Sequence, residues 1–208
     1  MNLPNKLTVL RLIMVPIFMA VMLVPAFADL SPNVEMILNI VGVLLFIAAS
    51  LTDMLDGKIA RKHGLVTDFG KFLDPLADKF MVIGAMLCIF FANSVVGHSA
   101  ISTLYFVALV VVIFRELAVT SIRLVASSSS GVVIAANILG KLKTVMQIVA
   151  VCSAIIEPIL YHLIGIDKGF VVTYPPITIV TTVAMIYLTI HSGLNYIIGA
   201  WKYLDPQK

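Results

Sequence analysis

Charge is scarce in this chain: Asp, Glu, Lys and Arg make up 12% of 208 residues, 61% are hydrophobic, and the mean hydropathy is +1.08. Globular domains carry about a quarter charged residues and about half apolar ones, so a soluble fold could not cover this much apolar surface. Cysteine is nearly absent. Cys88 and Cys152 each fall inside an apolar run, which excludes a disulfide framework and leaves both as packing residues. No Pro/Ser-rich linker, heptad or convincing repeat divides the chain, and Ser127 to Ser130 is the one low-complexity stretch, so a single domain over 1–208 is expected. His63, His98, His162 and His191 lack metal-ligand spacing and read as turn or interface residues.

Long uncharged runs are what the sequence has instead: Leu12 to Ala28, Met36 to Thr52, Phe80 to Phe114, Thr144 to Ile156 and Gly169 to Trp201. A helix needs about 20 apolar residues to cross about 30 Å of hydrocarbon, so the 35 residues from Phe80 to Phe114 must turn back on themselves. The break is expected at Asn93-Ser94 and Gly97-His98-Ser99, where turn formers cluster. The fold class is then an all-α integral membrane protein of six spans, near 8–28, 34–56, 74–95, 100–124, 140–163 and 175–200, with a polar cavity facing the cytoplasm.

Lys6, Arg11, Lys58, Arg61, Lys62, Lys71, Lys79, Arg123, Lys141, Lys143, Lys202 and Lys208 fall on or near one side of that topology, and Lys168 on the other. The positive-inside rule then puts both termini and the 57–73 and 125–140 connections in the cytoplasm. Lys6 and Arg11 before an apolar run ending in Ala26-Phe27-Ala28 mimic a secretory signal. The run is longer than a typical signal core and five further spans need a first anchor, so retention of this segment is expected. Trp201, Tyr203 and Tyr196 read as an aromatic belt at the last helix end, and Glu157-Pro158 as a kink.

Five of the eleven acids lie between Asp53 and Asp78. Asp53 and Asp56 are three apart and Asp74 and Asp78 four apart, so each pair shares one helix face. Carboxylates crowded at a membrane boundary repel one another unless a cation neutralises them, and hard oxygen ligands suit Mg²⁺, Mn²⁺ or Ca²⁺. The alternative is a set of surface charges paired with Lys58, Arg61, Lys62 and Lys79. Gly57 and Gly70 permit close approach of backbone or phosphate, Ala60 keeps its helix face slim, and Asp68 reads as a turn or cap residue.

The pattern Asp53-x-x-Asp56-Gly57-x-x-Ala60-Arg61, then eight residues, then Gly70-x-x-x-Asp74-x-x-x-Asp78, resembles the complete signature of the CDP-alcohol phosphotransferases. The resemblance implies transfer of a substituted phosphoryl group from a CDP-linked donor to an alcohol, with CMP leaving. It makes Asp53, Asp56 and Asp74 metal ligands and Asp78 both ligand and general base. Gly57, Ala60, Arg61 and Gly70 would contact the CDP moiety, and the cofactor would be Mg²⁺ or Mn²⁺, with two ions bound.

Acceptor choice must come from elsewhere in the chain. The opening Leu3 to Arg11, with Asn5, Thr8 and Arg11 placed to cap a helix and meet nucleotide or phosphate, resembles the bacterial branch of that family that uses CDP-diacylglycerol and sn-glycerol 3-phosphate. So do Arg115-Glu116 with Arg123, and Gly140-Lys141-x-Lys143-Thr144-x-x-Gln147. Arg115, Arg123, Lys141 and Lys143 are the candidate cationic pocket for the acceptor phosphate. Against this, Arg115 could simply pair with Glu116, Lys141 and Lys143 could be topological anchors, and Thr144 and Gln147 could be interhelical hydrogen bonders. The resemblance further implies a homodimer in the bacterial cytoplasmic membrane, in contact with membrane lipids and with no nucleic acid partner. Inositol phosphate or phosphatidylglycerol remain alternative acceptors. A cation transporter is a distant rival, because it would not need Gly57, Ala60 and Arg61 at those spacings.

Overall fold

The computed structural model describes residues 2–63, 67–130, 138–166 and 170–201, without the side chains of 54–56, 58–63, 71, 127–130 and 170–171. Seven helices account for them: α1 (Leu3–Phe27), α2 (Pro32–His63), α3 (Asp68–Val96), α4 (Ser99–Ser130), α5 (Ile138–Leu163), the short α6 (Phe170–Thr173) and α7 (Pro176–Ala200). There is no strand among the described residues. All but α6 are long and apolar enough to cross a membrane, which gives the six spans expected.

Helix ends follow from local chemistry. Asn2 caps α1 by accepting from the Asn5 backbone N–H at 3.1 Å. Thr67 caps α3 in the same way, accepting from Gly70 N at 3.1 Å, and Asp68 stands in the first turn, where the helix dipole favours an anion. Thr67 therefore takes the cap expected of Asp68. The α3–α4 turn falls in the Gly97-His98-Ser99 part of the expected break. Asn93 and Ser94 stay helical and offer their carbonyls to the Gly97 N–H, and the chain reverses at Gly97, whose φ of 86° suits glycine. The 57–73 and 125–140 connections are also shorter than expected, since α2 runs on to His63, α3 begins at Asp68 and α4 reaches Ser130.

The helices α1, α2 and α3 pack on one another, α5 packs on α2 and α7, and α4 bridges α3 and α7. Close approach of α1 rests on small residues, as is common between helices in lipid. A Cβ at Gly42 would lie 2.4 Å from Met22 Sδ, so a larger residue there would make the Met22 side chain shift. Phe18 and Phe46 meet nearby at 5.6 Å. Between α4 and α5, the Tyr105 hydroxyl donates to the Ala150 carbonyl at 2.8 Å. Cys88 and Cys152 are free thiols, the first buried, in keeping with packing roles.

Side-chain contacts sort the bundle into two ends. At one end, Phe27 stacks on Phe91, His162 Nε2 lies 3.2 Å from Asn33 Oδ1, and a cavity of about 520 Å³ is lined by Glu35, Asn93, His98 and His162 among others. Glu157, expected to be part of a kink, has another task here. It is buried, and its carboxylate accepts from Ile177 N at 3.1 Å, Thr178 N at 2.6 Å, Thr178 Oγ1 at 2.7 Å and the Tyr161 hydroxyl at 2.5 Å. The N-terminus of α7 has no capping side chain of its own, so α5 supplies the acceptor for its orphan N–H groups.

Glu157→Ala would strand four donors in an apolar setting, and a hydrogen bond to a charged group is worth about 1.5–3 kcal/mol. The variant is expected to lose at least about 3 kcal/mol, read as a lower melting temperature in detergent, with Glu157→Gln intermediate. An unchanged melt in Glu157→Ala would refute the capping role.

Candidate functional site

The opposite end of the bundle gathers the acidic motif. The α2 helix presents Asp53 and Gly57 near its C-terminal end, and α3 presents Asp74 and Asp78 within its first three turns. Because α3 starts at Asp68, the i, i+4 relation of Asp74 and Asp78 holds on a continuous helix, as their spacing anticipates. The side chains of Asp56, Ala60 and Arg61 lie outside the described residues, so those three assignments, and the cytoplasm-facing cavity that needs them, rest on sequence.

The first helix holds this motif in place. Arg11, with no exposed surface, sets Nη1 2.6 Å from Asp53 Oδ1, and the Thr8 hydroxyl donates to Asp74 Oδ1 at 2.8 Å. Asn5 Nδ2 donates to Thr67 Oγ1 at 2.9 Å, which ties the start of α1 to the cap of α3. A Cβ at Gly70 would come 3.0 Å from Asn5 Oδ1, so a larger residue would crowd the contact between α1 and the start of α3. Asn5, Thr8 and Gly70, the residues expected to contact nucleotide, thus stand where the start of α1 meets α3.

A second polar group forms on α4 and α5. Glu116 accepts from Arg115 Nη1 at 3.0 Å and also from the Lys143 ammonium, joining the two helices. Adjacent helical residues point in different directions, yet the guanidinium is long enough to reach back to Glu116. Two of the four expected acceptor cations are thus brought together, through a carboxylate that sequence reasoning left out of the site. Its signal was present: an acid inside an apolar run calls for a partner. The other two stand apart. Arg123 lies with its guanidinium carbon 5.9 Å from the Tyr196 ring centroid, a cation–π arrangement, and Lys141 is exposed. Tyr196 therefore faces Arg123.

Asp78, one helical turn beyond Asp74 on α3, reaches the second group. It shares a small gap with Lys79, Glu116, Lys143 and Gln147. Lys79 is held by the Thr120 hydroxyl, with Nζ and Oγ1 2.6 Å apart. A proton acceptor at Asp78 would stand beside both a cation pair and the acidic motif.

The donor set suits a hard divalent cation, since Asp53, Asp74 and Asp78 offer only carboxylate oxygens, and the contacts with Arg11 and Thr8 use Oδ1 of their acids. Among the described residues no three acidic, histidine or cysteine side chains stand together as a metal cluster.

The chain matches a family model described as CDP-alcohol phosphatidyltransferase over residues 1–203. It is 38% identical over 206 residues to the CDP-diacylglycerol–glycerol-3-phosphate 3-phosphatidyltransferase of Bacillus subtilis, covering 98% of this chain and 97% of that protein. It is 32% identical over 204 residues to the protein of the same name from Rickettsia bellii, covering 97% of each. A probable phosphatidylglycerophosphate synthase of Mycobacterium tuberculosis is 36% identical over 150 residues, covering 72% of this chain and 64% of that protein. Members of this family are generally dependent on divalent metal. With an acidic motif held at one end of six membrane-length helices and a family match along almost its whole length, this chain belongs to the CDP-alcohol phosphatidyltransferase family.

Proposed function

We propose that this protein transfers the phosphatidyl group of CDP-diacylglycerol to sn-glycerol 3-phosphate, giving phosphatidylglycerophosphate and CMP. Near-full-length similarity to enzymes named for that reaction supports the donor and acceptor. One observation carries the arrangement: Asp78, on the same helix as Asp74, lines a gap with Glu116 and Lys143 of the Arg115–Glu116–Lys143 bridge. A donor pyrophosphate at the acids and an acceptor phosphate at the cations would put the acceptor hydroxyl near Asp78.

In this reading Asp78 takes the proton of the attacking hydroxyl, whose oxygen forms the new bond to the phosphatidyl phosphorus as the bond to CMP breaks. A divalent cation, Mg²⁺ or Mn²⁺, held by Asp53, Asp56, Asp74 and Asp78, would neutralise charge on the pyrophosphate. Gly57, Ala60 and Arg61 are proposed to contact the CDP moiety. Arg115 and Lys143 grip the acceptor phosphate, with Arg123 and Lys141 as outer cations that draw an anion in. The lysine and arginine distribution supports cytoplasmic termini and a site at the inner face of the bacterial membrane.

Asp56→Asn and Asp74→Asn are expected to abolish CMP release while leaving expression intact, because the swap keeps shape and removes charge. Chelation of wild-type enzyme should do the same, reversed by Mg²⁺ or Mn²⁺. Asp53→Asn also removes the ion pair with Arg11 and so mixes stability with chemistry. Wild-type turnover by Asp74→Asn at saturating metal would eliminate the metal-site assignment.

Arg115→Ala and Lys143→Ala are expected to lower kcat/KM for glycerol 3-phosphate by roughly tenfold to a hundredfold, the worth of one charge-assisted contact, with donor affinity little changed. Arg123→Ala and Lys141→Ala should cost less, since one cation lies over an aromatic ring and the other is exposed. Steady-state kinetics with each substrate varied decides the matter. Equal acceptor kinetics in all four variants would return these cations to the role of topological anchors.

A further inference from the structure

Gln147 lies on α5, one helical turn beyond Lys143, and only 2% of its surface is exposed. Its carboxamide Nε2 finds no hydrogen-bond partner among the described residues. A buried amide donor in an apolar bundle is costly when unpaired, by about 1–3 kcal/mol, and most such groups in folded proteins have partners. Gln147 also lines the gap shared by Asp78, Glu116 and Lys143.

The size of that gap limits what it can take. Its volume is about 10 Å³, near the threshold for a single water molecule and far below that of a whole acceptor. A single hydroxyl fits. Glycerol 3-phosphate carries two hydroxyls, one that attacks and one on the middle carbon. With the phosphate at Arg115 and Lys143 and the attacking oxygen at Asp78, the middle hydroxyl lies between them along the same short molecule.

We propose that Gln147 determines acceptor specificity by donating a hydrogen bond from Nε2 to the middle hydroxyl of the glycerol phosphate. This rests on the acceptor assignment above and goes beyond it by naming the group that reads the hydroxyl. It accounts for the burial, for the donor's missing partner, and for a gap of hydroxyl size beside the proposed base. A site built to bond a hydroxyl discriminates against the analogue that lacks it, because its own polar group is then left unpaired.

The test compares glycerol 3-phosphate with 3-hydroxypropyl phosphate, which keeps the phosphate and the attacking hydroxyl and lacks the middle one. CMP release is followed in detergent-solubilised full-length protein with CDP-diacylglycerol. Wild type should prefer glycerol 3-phosphate by roughly tenfold to a hundredfold in kcat/KM. In Gln147→Leu and Gln147→Glu the preference should collapse toward unity, through loss on glycerol 3-phosphate and little change on the deoxy acceptor. A merely structural glutamine would lower both acceptors together and keep the ratio, and that result overturns the proposal. Wild-type enzyme that uses both acceptors equally also overturns it, whether or not the variants fold. Wild type that releases no CMP with glycerol 3-phosphate but does so with another alcohol removes the acceptor assignment, and this proposal with it.

Discussion

Carboxylates assembled at the end of an apolar bundle must be held against their mutual repulsion before any substrate arrives, and α1 supplies the restraint. Arg11 is sequestered from solvent and pairs with Asp53, while Thr8 hydrogen-bonds Asp74, so a single helix face grips acids from two other helices. Asn5 adds a third link, to the cap of α3. Desolvating a guanidinium is costly, and its pairing here orients more than it stabilises. The close packing of α1 on α2 at Gly42 serves the same end, since a displaced α1 would carry its three polar contacts away from the motif.

The second restraint lies across the bundle. Glu116 draws Arg115 and Lys143 toward one carboxylate, so two cations that would otherwise repel are stored side by side. An arriving acceptor phosphate carries more negative charge than Glu116 and can take over both partners without moving either helix far. In the proposed reading, binding of the acceptor would be an exchange of anions within a preset cationic frame.

Much of this was legible in the sequence, for physical reasons. Bilayer thickness sets the length of an apolar run, so six spans could be counted, and the 3.6-residue helical repeat placed Asp74 and Asp78 on one face of α3. Contacts between helices far apart in sequence could not be read in this way. The pairs Arg11 with Asp53, Glu116 with Lys143 and Arg123 with Tyr196 depend on which helices become neighbours. Glu157 shows the same limit, since its partners at Ile177 and Thr178 belong to another helix. At Asn93-Ser94 local composition pointed to a break, but both residues stay helical and the reversal comes at Gly97, within the second half of the expected break.

The Glu157 cap has a mechanical consequence. Lys143 near one end of α5 is tethered to α4, and Glu157 near the other end is tethered to α7. The two anchors are 14 residues apart, about 21 Å along the axis at 1.5 Å per residue. A rod fastened at both ends to different neighbours cannot slide along its length without breaking a bond to a charged group. It can still roll or tilt. Admission of a lipid donor from the side would then proceed by swinging of whole helices about these fixed points, with α5 acting as a strut that keeps the spacing of the polar groups constant while the bundle opens.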